Sequence, residues 1–178
     1  MTRSKKNLVA LFASLPLLFA LMHRQAVAAG AVLTNEQILE LAQSTVEKHN
    51  FNADPKMLAA MAVIESSGNP TASRYEAHIN DISVGLMQTL GETARWLASD
   101  MGYRAHGVPS NADLADPEIS MYFGAAYVDY LSNFRGVSRK PEWIVRAYNG
   151  GPYWQNNPVA VDMTQNHWNK YKAARMKF

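Results

Sequence analysis

The sequence predicts an all-α fold, and three observations carry that expectation. Helix-start signals recur along the chain, at Thr34, Asp54-Pro55, Thr89, Asp116-Pro117 and Pro141. The segments that follow them space their apolar residues by three and four positions rather than two. Finally, 48% of the 178 residues are hydrophobic and only 18% charged, the composition of a chain with its own core. There is no Cys. Disulfides, thiolate zinc sites and cysteine nucleophiles are therefore excluded. The length suits one compact domain of about six helices.

Arg3, Lys5 and Lys6 precede an uncharged apolar stretch from Leu8 to Met22, and Ala26-Val27-Ala28 supplies a small-residue exit. This is the pattern of a secretory signal peptide over residues 1–28, cleaved near Ala28. The alternative is an uncleaved anchor, although the run is short for a span and Pro16 interrupts it. Export to the periplasm or outside the cell is expected, with one domain over residues 29–178. The leader holds Arg3, Lys5, Lys6 and Arg24 and no acid. Taking these four from 17 bases leaves 13 against 15 acids, a net charge of −2. The formal +2 of the whole chain thus belongs to the leader, which argues against nucleic-acid binding. A basic cluster remains at Lys170, Lys172, Arg175 and Lys177, read as a solvated face near a helix C-terminus.

Thr34-x-x-Gln37 is a capping box before Ile38, Leu41, Ala42 and Val46. Asp54-Pro55 gives an N-cap and a proline in the first turn of a second helix, which Gly68 can end. Residues 74–84 lack helical periodicity and form a loop or at most a short hairpin. Thr89-x-x-Glu92 reads as another capping box, and its helix stops near Gly102. Asp116-Pro117 opens a long helix, Pro141 another, and Asn149-Gly150-Gly151-Pro152 is a stop. Thr164 is the expected cap of a last helix, with Pro158 in the loop before it.

The second helix carries the chemistry. Leu58, Met61 and Glu65 fall at i, i+3 and i+7, which sets a carboxylate on the apolar face and in the last turn. Burial and the negative end of the helix dipole both penalise an ionised carboxylate, so the pKa of Glu65 is expected to be raised. An acid kept protonated near neutral pH suits general-acid catalysis. From the residues alone, a Glu that merely ends a helix and faces solvent is an equal reading.

Other segments align with it: Glu65-Ser66 with Gly68-Asn69-Pro70, Gly85-Leu86-Met87-Gln88, Asp116-Pro117-Glu118 heading a helix with Gly124, Ala125 and Tyr127, and Ala147-Tyr148-Asn149-Gly150-Gly151. In this order and spacing, over about residues 54–152, the set resembles the catalytic domain of soluble lytic transglycosylases in the goose-type lysozyme superfamily. The resemblance implies a lysozyme-like fold and cleavage of peptidoglycan between N-acetylmuramic acid and N-acetylglucosamine. Glu65 is then the single catalytic acid/base and a 1,6-anhydro sugar the product. It implies no cofactor or metal and no partner beyond the glycan strands, and a monomer is expected. It places Ser66, Gly85, Met87, Gln88, Tyr148 and Asn149 at the substrate groove. Gln88 would bond the sugar, Gly85 would let the chain turn close to it, and Met87 would pack beneath. Tyr148 would orient Glu65 through its hydroxyl, or else be a core aromatic. Asn149 would line the groove wall, or else cap its helix. Ser66 would chiefly seal the helix end.

The stretch between Glu65 and Gly85 departs from that family, being about five residues longer and carrying two extra acids, Glu76 and Asp81. Either could serve as the second carboxylate of a lysozyme-type muramidase, an inverting hydrolase that needs a base for its water. Arg74 and Glu76 are otherwise a local ion pair. A third possibility is a non-catalytic glycan-binding protein on the same fold. Trp154, after the Asn-Gly-Gly turn, is the best candidate to stack on a sugar ring, while Trp96 and Trp143 are expected in the core. His78, His106 and His167 have no metal-ligand spacing and are read as surface residues.

Overall fold

The capping box at Thr34 forms as written: the Gln37 amide N–H reaches the Thr34 hydroxyl (3.3 Å), and the Gln37 side chain accepts from the Thr34 N–H (2.9 Å). It opens α1, Asn35–His49. The computed structural model describes residues 31–178, so the signal-peptide reading lies outside the described residues. Asp54 caps α2, Pro55–Ser66, through the Lys56 N–H. A hairpin follows, β1 (Ser73–Glu76) against β2 (Asp81–Val84), in a register that pairs Glu76 with Asp81 and Ser73 with Val84. A two-residue strand, β3 (Thr89–Leu90), joins β2 and completes a three-stranded antiparallel sheet. The remaining helices are α3 (Gly91–Ser99), α4 (Pro117–Ser132), α5 (Pro141–Gly150) and α6 (Pro158–Arg175). Six α-helices and a small sheet among the described residues match the expected mostly helical architecture.

Two capping expectations are corrected. Thr89 does not cap α3. It lies in β3, its hydroxyl faces the Tyr148 hydroxyl at 3.2 Å, and Leu90 occupies the cap position without a side-chain bond. The work passes to Asp81, distant in sequence, whose Oδ2 accepts the Glu92 N–H at 3.0 Å. A carboxylate here satisfies an orphan amide and meets the positive end of the helix. Thr164 is likewise no cap. Asn157 caps α6 with Pro158 in the first turn, and Thr164 sits fully buried inside the helix. Its hydroxyl donates to the Ala160 carbonyl and accepts from the Arg146 guanidinium, a long-range bond invisible to a local motif.

The core sits around α2 and α4. Six consecutive α2 residues, Met57 to Ala62, are buried, so this helix is surrounded rather than amphipathic. Helix α4 divides its faces. Met121, Ala125, Val128 and Leu131 pack with α1, α2, α5 and α6, while Tyr122, Phe123 and Ala126 pack under the sheet and α3. Helix α2 itself packs against α1, α4 and α6. Its C-terminus stops at Ser67, held in the left-handed region with its N–H on the Val63 carbonyl.

Candidate active site

Glu65 occupies the last turn of α2, one residue before its end. Leu58 and Met61, on the same face, are fully buried, and the Glu65 side chain is 12% exposed. The carboxylate is thus on the apolar face, not simply in solvent. It opens into a cavity lined by Glu65, Gln88, Leu90, Tyr148, Asn149 and Met163 and, from the hairpin, by Arg74, Glu76, His78, Ile79 and Ser83.

The three carboxylates proposed for chemistry differ in what holds them. Asp81 is buried, with Oδ1 accepting from the Ile82 N–H (2.7 Å), Oδ2 accepting from the Glu92 N–H, and the Arg95 guanidinium 4.0 Å away. It does not line the cavity, and it serves the helix start of α3. Glu76 does line it, but accepts from Arg74 Nε at 2.6 Å. Two residues apart on a strand, the two side chains share one face, and the expected ion pair follows from that period. Glu65 accepts no hydrogen bond from a described residue. The group nearest to it in charge terms is the His167 imidazole, with Nε2 3.2 Å from Oε1. The approach is too bent for a hydrogen bond, and Nε2 has no other partner among the described residues.

His167 is the residue that sequence reasoning missed. It is 8% exposed rather than at the surface, brought in because α6 packs against α2. It lies one helical turn beyond Met163, which lines the cavity, and reaches the Glu65 carboxylate from α6. His78, by contrast, is exposed on the hairpin as expected.

Tyr148 does not orient Glu65 through a hydrogen bond. Its hydroxyl donates to the Met87 carbonyl at 2.9 Å and meets Thr89, tying α5 to the turn before β3. Burial pushes the Tyr148 hydroxyl well above its ordinary pKa, and the nearby Glu65 charge adds to the shift. The phenol therefore stays protonated on the groove floor. Asn149 is exposed at the cavity edge, and Gly151 rather than Asn149 caps α5. Gln88 faces the cavity, but its amide is fully engaged. Nε2 donates to the carbonyls of Ala72 (3.0 Å) and Gly85 (2.9 Å), and Oε1 accepts from Ser83 (3.1 Å). It holds φ at 47°, a left-handed conformation that costs a non-glycine residue about 1–2 kcal/mol and is found at functional turns.

Ser66, Gly85 and Met87 are not brought to the cavity surface. The Ser66 hydroxyl donates back to the Ala62 carbonyl, sealing the helix end. Gly85, at φ +81°, turns the chain against protein, not against a ligand: a Cβ there would run into the Leu114 carbonyl and the Ser120 side chain. Met87 is fully buried beneath the groove, as expected, against Gly124. Trp154 is corrected too. It is buried, with the Arg146 guanidinium 3.7 Å from its ring centroid, so its face is already occupied.

A family model described as a transglycosylase SLT domain matches residues 43–171, which include Glu65 and His167 and all the cavity residues. The chain belongs to the transglycosylase SLT domain family. This SLT domain is also similar to the endo-type membrane-bound lytic murein transglycosylase A of Salmonella paratyphi B, Salmonella enteritidis and Salmonella typhimurium. Each is 38% identical over 85 residues, covering 47% of this chain and 38% of the relative. The matched part therefore spans well under half the length of those relatives. Among the described residues, no helix of the SLT domain is long and apolar enough to cross a membrane.

Proposed function

We propose that the protein is an exported, monomeric lytic transglycosylase that cleaves the β-1,4 bond between N-acetylmuramic acid and N-acetylglucosamine in peptidoglycan, with Glu65 as its single acid/base. The observation that carries this reading is the contrast among the carboxylates. Asp81 is engaged by backbone amides and Glu76 by Arg74, while Glu65 lies in the cavity with no hydrogen bond from a described residue. Family membership supports the reaction class, and the leader pattern supports export.

The steps follow from one carboxyl group. Protonated Glu65 gives its proton to the glycosidic oxygen as the C1–O bond breaks. The N-acetyl oxygen of the muramyl sugar bonds to C1 and holds the developing positive charge, a substrate-assisted form of glycoside cleavage. Ionised Glu65 then takes the proton of the sugar's C6 hydroxyl. The C6 oxygen bonds to C1 and the N-acetyl oxygen leaves, which closes the 1,6-anhydro ring and returns Glu65 to its acid form. No water enters the balance. Asn149 and Gln88 line the path of the sugar, and the Tyr148 hydroxyl keeps the floor fixed.

A second reading, hydrolysis with Glu76 as base, rests on one fact: Glu76 lines the same cavity. Digestion of purified peptidoglycan followed by mass spectrometry separates the two, because anhydro ends are lighter than reducing ends by one water. Glu65→Gln is nearly isosteric and removes the transferable proton, so cleavage falls by at least about 10²–10⁴ in a folded variant. Reducing ends from the wild type, or retention of a tenth of its activity by Glu65→Gln, overturns the proposal.

A further inference from the structure

His167 has a second use for its burial. Its side chain is 10% exposed and Nε2 faces the 12%-exposed Glu65 at 3.2 Å, yet no group among the described residues completes a hydrogen bond to that nitrogen. A buried polar atom left without a partner weakens a fold and calls for an explanation. The other ionisable groups facing Glu65 across the cavity are already engaged or turned outward. Arg74 and Glu76 hold each other, the Tyr148 hydroxyl is on Met87 and Thr89, and His78 is exposed on the hairpin. His167 alone among the described residues stands at ion-pair distance from the carboxylate.

We propose that His167 is a positioning residue for Glu65, holding the carboxyl group toward the groove in both of its protonation states. An imidazole nitrogen can do this where most side chains cannot. With a proton on Nε2 it donates to the carboxylate. With the acid proton on Oε2, turned to the sugar, the same N–H donates to the carbonyl-like Oε1 of the carboxylic acid. His167 keeps its own proton in both states, and the charge of the pair changes only by the proton that Oε2 gives to the glycosidic oxygen and takes back from the C6 hydroxyl. The bent contact of the free protein straightens by a small rotation of either side chain, as catalytic hydrogen bonds commonly tighten when substrate is bound. Helix α6 thereby takes part in the chemistry of α2, and the role rests on the acid/base reading of Glu65.

The test compares wild type, His167→Phe, His167→Gln and Glu65→Gln on purified peptidoglycan glycan strands, with circular dichroism to establish folding. Phe fills the volume without a polar atom. Gln places an amide that donates or accepts near the position of Nε2. His167→Phe lowers kcat by about 10- to 100-fold with KM within about threefold, the size expected when a reacting group is misplaced by about 1 Å. His167→Gln recovers kcat to within about fivefold of wild type. A folded His167→Phe with kcat within twofold of wild type overturns the proposal, because packing alone would then be the role of the residue. Should the Phe variant not fold, a folded His167→Gln that is as impaired as Glu65→Gln overturns it equally. Activity in Glu65→Gln removes the acid/base reading and this inference with it. An inactive Glu65→Gln beside an unimpaired His167→Phe removes this inference alone.

Discussion

Asp81→Asn separates a structural carboxylate from a chemical one. Asp81 receives two backbone N–H groups on different oxygens, from Ile82 at 2.7 Å and from Glu92 at 3.0 Å. An amide of the same shape keeps one acceptor and turns an NH₂ toward the other donor. One buried N–H is then unsatisfied, which costs about 1–3 kcal/mol. The loss of a charge at the start of α3 adds about 0.3–1 kcal/mol. The Arg95 contact at 4.0 Å is already shared with Glu92 and Asn111 and adds little. A total near 2 kcal/mol lowers Tm by about 4–8 °C for a chain of this size. The rate at 25 °C should change by less than about threefold, because the variant stays folded there and Asp81 does not reach the cavity. The assay is a thermal melt beside a peptidoglycan digestion. A fall in rate of about 10²–10⁴ with an unchanged melt would mean that Asp81 is a general base, and the muramidase reading would replace the present one. An unchanged melt with an unchanged rate would remove the capping role.

Further outcomes are expected. Tyr148→Phe leaves the Met87 carbonyl without its donor and should cost about 1–3 kcal/mol in urea denaturation, with less than a tenfold loss of rate. A loss equal to that of Glu65→Gln would show that the hydroxyl acts on substrate. Gly85→Ala meets the Leu114 backbone and a positive φ together, so destabilisation above about 3 kcal/mol is expected, read as lost soluble yield or a melt near ambient temperature. His49 and His106 are both held below the ordinary imidazole pKa, chiefly by burial and then by Lys48. The unfolded chain thus binds more protons than the folded one below about pH 6.5, and their contribution is present above that value and lost as pH falls through the folded values. His49→Phe keeps the edge-to-face contact with Tyr122 and should narrow the Tm difference between pH 7.5 and pH 5. An unaltered difference would contradict the assignment.

Local chemistry was legible and distant chemistry was not. Thr34, Asp54 and Asp116 cap where the sequence places them, because a cap is decided by atoms two or three residues apart. Thr89 satisfies the same local rule and fails, since Asp81 competes for the head of α3 from across the sheet. Thr164 fails because Arg146 on the neighbouring helix gives its hydroxyl a buried partner. In the site, the period of α2 was enough to set Glu65 on the face of Leu58 and Met61. Neither period nor motif could show that α6 folds back to deliver His167, or that Trp154 is covered by Arg146. Gln88, Tyr148 and Asn149 do meet Glu65 in one cavity. Their bonding, with the Gln88 and Tyr148 polar groups turned to protein carbonyls, depends on contacts no single segment contains.

The all-round burial of α2 has a consequence for how the molecule breathes. Amides of a helix enclosed on every side exchange with solvent only when the whole structure opens, whereas those of a short exposed hairpin exchange through local opening. Glu65 thus follows directly on a segment, Met57 to Ala62, that is expected to exchange slowly, whereas β1, with three of its four residues exposed, is expected to exchange fast. On the proposed function, local opening of the hairpin wall would let a bulky glycan polymer enter while the end of α2 stays in place. On that reading, variation in the hairpin changes which glycan enters at little cost to the fold, and variation in Met57 to Ala62 does not.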